Sequence, residues 1–190
     1  MIRGLVLAGG KSSRFGSDKA LVKYHGIPLL GRAVDLLKSL NLNPIIVTRR
    51  GADYSFAKCT VIYDKLTGQG PLGGIYTAMT LFKNTAFLIL TCDMPALTVP
   101  VLQELLEQHE PSCELTFYST ADRAEQPFPG IYEPSLLGVI REKLKKEDLS
   151  MASLFKEIAT RKVIDRGGGS DVFCNINTKD DLLTFISPAV

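Results

Sequence analysis

With 190 residues, 45% of them hydrophobic and 22% charged, the chain has the size and composition of one compact domain that buries a substantial core without staples. A net charge of +2 is too mild to argue for nucleic acid or a membrane surface as partner. No apolar run approaches the roughly 18 residues that a spanning helix needs.

The opening run Ile2–Leu7 is apolar and of strand length. It stops at Gly9-Gly10, with Lys11 and Arg14 close behind, so it is too short for the apolar stretch of a signal peptide and reads as a buried strand. A polar, glycine-rich loop follows to about Asp18. Gly31–Leu40 carries Ala33, Val34, Leu36, Leu37 and Leu40 at helical spacing. Ile45–Val47 and Val61–Tyr63 are β-branched and strand-like. Leu72–Phe82 reads as a helix with small residues at its start. Ala86–Leu90 is wholly apolar, as in a central parallel strand covered on both faces. Further on, Val99–His109 is predicted helical, with Thr98 as its cap. Leu115–Tyr118 and Gly130–Tyr132 are predicted as short strands, Leu136–Lys146 and Met151–Ile158 as helices, and Arg161–Ile164 and Val172–Cys174 as late strands. Thr178 is placed to cap a last helix over Lys179–Ile186. Strands alternating with helices predict βαβ units, hence a Rossmann-like three-layer α/β/α fold with a mostly parallel central sheet, in a single domain over residues 1–190. There is no internal repeat, and Gly167-Gly168-Gly169-Ser170 reads as a surface loop.

Cys59, Cys92, Cys113 and Cys174 form no C-x-x-C pair and lie near no histidine pair, which points to free buried thiols in a reducing, cytoplasmic setting rather than to zinc. His25 and His109 stand outside the polar clusters and read as structural or exposed.

In open parallel sheets ligands bind beyond the carboxyl ends of the strands, which directs attention to residues 9–19, 48–50, 64, 92–93 and 175–177. In the first group the glycines allow backbone amides close to a phosphate, and Arg14 and Lys19 supply the charge that a triphosphate needs; a solvated turn is the plain alternative. The string is neither a Walker A loop nor G-x-G-x-x-G. Asp93 follows the most apolar strand and suits magnesium, a hard cation that bridges protein and phosphates. It is too early to cap the next helix. Gly68–Gly74, with Gly73 near its end, allows backbone to lie against a flat ligand such as a base, or forms an ordinary loop. Asn175 and Asn177 fall on one side of an extended segment, where they complete a magnesium shell, touch a ligand, or serve turn and cap chemistry.

The string Leu7-Ala8-Gly9-Gly10 … Arg14-Phe15-Gly16 … Asp18-Lys19 resembles the signature of the sugar-phosphate nucleotidylyltransferases and their relatives. Taken with Gly26–Leu30, Asp64, Gly70–Gly74, Cys92–Pro95, Gln126-Pro127, Gly130–Tyr132 and Asn175–Thr178, the chain resembles the molybdenum cofactor guanylyltransferases from about residue 2 to residue 186. The resemblance implies that the backbone of Leu7, Ala8 and Gly9 holds a guanine nucleotide, that Arg14 and Lys19 bind phosphates, and that Asp64 contacts the nucleotide. It also implies that Asp93 binds magnesium and that Asn175 and Asn177 lie near the pterin and metal region. Phe15 stands where methionine is usual, and Thr48 where the family often has asparagine as a nucleotide contact. Related cytidylyltransferases tend to carry Ala-Ala at the Gly9-Gly10 position, so that pair, with the Pro71–Gly74 loop, favours guanine.

The expected activity is therefore Mg2+-dependent transfer of GMP from GTP to the phosphate of molybdopterin. Arg14, Lys19 and Asp93 are the expected catalytic groups. Nucleic acid and membrane are not expected partners, whereas transient proteins of cofactor biosynthesis are compatible with the reading. A CTP-dependent relative, a transferase with another phosphorylated acceptor, and a non-catalytic nucleotide-binding module are the competing readings.

Overall fold

The structure, a computed structural model, describes residues 1–9, 18–66, 68–120, 125–164 and 170–186. Of the positions singled out in the sequence, Gly10, Arg14 and Gly167-Gly168-Gly169 lie outside the described residues. In chain order the elements are β1 (Ile2–Leu7), β2 (Lys23–Tyr24), β3 (Ile27–Pro28), α1 (Leu29–Ser39), β4 (Ile45–Thr48), β5 (Thr60–Tyr63), α2 (Gly70–Leu81) and β6 (Ala86–Thr91). They continue with α3 (Val99–Glu107), β7 (Leu115–Ser119), β8 (Glu125–Tyr132), α4 (Leu136–Lys145), α5 (Met151–Glu157), β9 (Thr160–Ile164) and α6 (Lys179–Ile186).

The main sheet has seven strands in the order β5-β4-β1-β6-β8-β7-β9. Pairing is parallel throughout except around β8, which runs antiparallel to both neighbours. The sheet is thus mostly parallel, as the alternating elements predict. β6 is flanked by β1 and β8, and Ala86–Leu90 are all buried because helices cover both sheet faces. Residues of opposite pleat parity on β1 show this directly. Gly4 lies under Leu37 of α1, with no room for a Cβ, whereas Leu7 faces Gly74 of α2. Pro71 and Pro100 sit in the first turns of α2 and α3, where a missing N–H costs nothing. Thr98 occupies the cap position of α3, but its side chain makes no capping hydrogen bond.

Two local expectations are corrected. β8 begins at Glu125, well before the predicted Gly130. Its pairing with β7 shifts register between Phe117 and Tyr118, whose partners are Gly130 and Gln126, so Pro127-Phe128-Pro129 stands outside the ladder. That bulge accommodates Pro127 and Pro129 within the strand. Val172–Cys174 is not a strand: Ser170–Phe173 forms a 3-10 turn, and Phe173 buries itself against the Tyr118 ring at 5.0 Å. β2 and β3 form a small hairpin through His25 and Gly26, both at positive φ, a geometry matched to a tight two-residue turn. His109 is structural, 3.1 Å from Thr116 Oγ1 and 2.9 Å from Glu133 Oε1.

Lys143 of α4 is the one charged residue among the buried side chains described, at 2% exposure. Its ammonium donates to Asp148 Oδ2 and Glu157 Oε1, each at 2.9 Å, and to Ser153 Oγ at 2.8 Å, clamping α4 to α5. Desolvation alone would lower its pKa; the two carboxylates outweigh it and raise the value above 10.5. Asp148 is drawn from 3.8 down to about 2, first by the Ser153 hydroxyl and then by Lys143. A carboxylate depressed in the folded state stabilises it fully above the unfolded value, and that stabilisation is lost as protons bind. The thermal midpoint should therefore fall as pH drops from 3.8 through about 2, and Lys143→Met should flatten this acid limb in a series of melts.

Candidate functional site

Because β1, β4, β5 and β6 are parallel, their carboxyl ends share one edge of the sheet. Gly9, Thr48, Asp64 and Asp93 are delivered to that edge, and the segment before α6 crosses it. The crossing is anchored by the Ile176 amide, which donates to the Asp93 carbonyl at 2.8 Å. Ile176 itself is fully buried with Leu29 in a second small core completed by Val22, Tyr24, Leu182 and Phe185. Alternation then exposes Asn175 and Asn177 on the opposite side, as the sequence predicts. Thr178 caps α6 by accepting from the Asp181 amide at 3.1 Å, while Asp181 accepts in return from the amides of Asn177 and Thr178.

The centre of the site is Lys19. Its ammonium lies 2.9 Å from Asp93 Oδ2 and donates to Asn177 Oδ1 at 3.1 Å, joining residues 74 and 158 positions apart in the chain. Lys19 is carried on a single 3-10 turn, Lys19–Leu21, capped by Asp18 Oδ1, which accepts from the Ala20 amide at 3.1 Å. The remaining Asp93 oxygen, Oδ1, is buried and has no hydrogen-bond partner among the described residues. An orphaned carboxylate oxygen in a polar, partly open place suits a hard divalent cation. Among the described residues no group of three or more histidine, cysteine or acidic side chains forms a metal cage. A cation at Asp93 would therefore share its shell with ligand oxygens, the usual habit of Mg2+. Burial, and then the charge of Asp93, pushes the Cys92 thiol up to about 12, so no thiolate is available here as a nucleophile.

The other wall is built from β4, β5 and α2. Thr48 is fully buried, and its hydroxyl donates to the Ala8 carbonyl at 3.3 Å, so the side chain shapes the Ala8 turn from within. The Ala8 amide donates to Val47 O at 2.9 Å, leaving exposed Gly9 as the outermost backbone of that segment. Asp64 Oδ1 accepts from Thr77 Oγ1 at 3.0 Å and from the Leu66 amide at 2.9 Å. Gly73 packs beneath: a Cβ there would sit 3.0 Å from Leu66 O and 3.3 Å from Asp64 Oδ2. The structure thus brings Lys19, Asp93 and Asn177 into direct contact, and joins Gly73 to Asp64 and Ala8 to Thr48 in the opposite wall. Asp18, Tyr54 and Thr77 belong to the same edge and are absent from the sequence-derived set. Asp18 was visible as the residue before Lys19, whereas nothing in the sequence marks the other two.

Thr77 is fully buried, and its hydroxyl also accepts from the Lys65 amide at 3.2 Å. Thr77→Val keeps the volume but strands the Lys65 amide and takes one of two donors from Asp64 Oδ1, and should lower the unfolding free energy in urea titrations by about 1–3 kcal/mol, while Thr77→Ser restores most of it.

Residues 4–163 match the family described as the MobA-like NTP transferase domain. A protein of Geobacillus sp. (strain WCH70), named as a probable molybdenum cofactor guanylyltransferase, is 34% identical over 95% of this chain and 97% of its own. A solved structure from Aquifex aeolicus VF5 superposes with a TM-score of 0.79 at 28% identity, covering 93% of this chain and 94% of that one. The molybdopterin-guanine dinucleotide biosynthesis protein A of Archaeoglobus fulgidus shares the fold at a TM-score of 0.78 and 22% identity, over 98% and 97% of the two chains. By its sequence match and its sheet, this chain belongs to the MobA-like NTP transferase family of nucleotidyltransferases.

Proposed function

We propose that the chain transfers GMP from GTP to the terminal phosphate of molybdopterin, releasing pyrophosphate and forming molybdopterin guanine dinucleotide. The observation that carries this reading is the Lys19–Asp93 pair at the strand ends, with one Asp93 oxygen unused. It supplies a cation for phosphate oxygens beside a carboxylate suited to a divalent metal. The names of relatives matched along nearly their whole length support the guanine nucleotide and the pterin acceptor.

The acceptor phosphate is already anionic, so an oxygen of it attacks the α-phosphorus directly. The new O–P bond forms as the bond to the bridging oxygen of pyrophosphate breaks, and pyrophosphate leaves with the electron pair. No covalent enzyme intermediate is needed, and positioning with charge neutralisation lowers the barrier. When a triphosphate enters, the Lys19 ammonium exchanges Asp93 and Asn177 for phosphate oxygens. Asp93, released from the ion pair, would be the residue to hold Mg2+, and the ion would supply positive charge to the phosphates. Gly9 offers backbone to the nucleotide, while both backbone groups of Ala8 are engaged inside the protein. Asp64 and Gly73 form the facing wall. Asn177 steadies Lys19 until the phosphates replace it, and Asn175 is exposed two residues before it.

Among the described residues no helix is long and apolar enough to cross a membrane. The four cysteines are half-buried rather than buried as expected, and none forms a disulfide among the described residues, which fits a reducing cytoplasm as the place of reaction.

Pyrophosphate release should occur with GTP, Mg2+ and molybdopterin together, and not with ATP, CTP or UTP; release with CTP alone would overturn the base assignment, and release with none would overturn the transferase reading. Asp93→Ala should lower kcat by about a hundredfold or more while GTP affinity changes far less, which single-turnover kinetics and equilibrium titration can separate.

A further inference from the structure

Tyr54 lies in the connection between β4 and β5 and is only 2% exposed. Its hydroxyl donates to Asp18 Oδ2 at 2.7 Å, and it also stands 3.4 Å from the Ala8 carbonyl. Ala8 and Asp18 flank the glycine-rich segment on its two sides in the sequence. A phenol has one proton, and the short contact to a carboxylate takes it; the longer approach to Ala8 is the weaker one. The second Asp18 oxygen caps the turn that carries Lys19. Asp18 is thus gripped on one side by the core and on the other by the Lys19 turn.

Tyr54 itself is held firmly. The 3-10 turn Ser55–Ala57 follows it directly, and Lys38 of α1 donates to the Ala57 carbonyl at 2.9 Å. The Phe56 ring meets the Tyr54 ring edge-on at 6.3 Å. Burial, reinforced by the Asp18 hydrogen bond, raises the phenol pKa well above its usual value, so the group remains a donor at any working pH.

We propose that Tyr54 is a positioning residue for nucleotide binding: through Asp18 it fixes the turn that aims Lys19, and it ties that turn to the Ala8 side of the same nucleotide-binding segment. The inference rests on the nucleotidyl-transfer reading for its kinetic consequence, and on the hydrogen-bond geometry alone for its structural one. Tyr54→Phe removes the hydroxyl and keeps the ring, so the core stays filled. Losing one charge-assisted hydrogen bond should raise KM for GTP about tenfold, with kcat changed much less.

The experiment compares native protein, Tyr54→Phe, Asp18→Ala and the double variant. It reads KM and kcat for GTP, hydrogen exchange at the Ala20 amide, and the thermal midpoint. The expected results are a raised KM and faster Ala20 exchange in Tyr54→Phe, and no further change when Tyr54→Phe is added to Asp18→Ala. Equal KM values within about twofold, or effects that simply add in the double variant, overturn the proposal even if the midpoint falls, since that pattern is a packing defect alone. If native protein shows no turnover with GTP, the transferase reading fails, and the exchange measurement decides: unchanged Ala20 exchange in Tyr54→Phe overturns the positioning role, and faster exchange that vanishes in the Asp18→Ala background upholds it.

Discussion

The ion pair between Lys19 and Asp93 is the constraint to which the rest of the edge conforms. Both side chains are largely withdrawn from water, at 15% and 22% exposure, so neither charge is comfortable without the other. Asp93 is delivered by a strand buried from Ala86 to Leu90, two residues beyond the end of β6, and Lys19 by a one-turn helix with its own cap. The surroundings exist to hold these two carriers at contact distance. The sheet fixes one, Asp18 and Tyr54 fix the other, and Ile176 and Asn177 close over both. A pair of this kind is useful in a transferase because it is complete in the resting state and can be exchanged. In the proposed reaction a triphosphate would offer an anion to Lys19 and its metal a cation to Asp93, so that entry would replace one set of charge contacts by another.

The parallel sheet is what makes such convergence possible. Residues 9, 48, 64 and 93 are widely separated in the chain, yet a parallel register ends each strand on the same edge. Close approach of α2 then sets the width of the cleft. Gly73 and Gly74 let the helix start lie against Asp64, Leu66 and Leu7, where a methyl group would press on neighbours at 3.0 Å. The buried Thr77 hydroxyl, one turn further along the helix, locks Asp64 to the same face.

Much of this architecture could be read in the residues. The apolar run at Ala86–Leu90 and the β-branched run at Ile45–Val47 have strand length and no amphipathic helical alternative, so their burial and direction followed from pattern. Lys19, Asp93 and Asn177 were visible because cations, carboxylates and carboxamides placed just after such runs have few structural uses. Other features depend on partners distant in sequence. Nothing local distinguishes Tyr54 from any loop tyrosine; its role comes from the position of Asp18, 36 residues earlier. The early start of β8 was not legible in its residues, since Pro127 and Pro129 fit the ladder only through the bulge opposite Phe117 and Tyr118. Val172–Cys174 has strand-like residues, but Phe173 gains more by packing on Tyr118 than by extending, and a turn results.

The small core around Leu29 and Ile176 is separate from the large one that fills the sheet. Six side chains hold the α6 segment across the site, against dozens in the main body, so the two have unequal free energies of opening. Warming or mild denaturant would release the lesser unit first, carrying Asn177 away from Lys19 while the sheet stays folded. If Asn177 serves the site as proposed, activity would be lost on warming by a local melting event before global unfolding. Substitutions at Val22, Tyr24, Leu182 or Phe185 become a means of tuning turnover and temperature range that leaves the scaffold untouched.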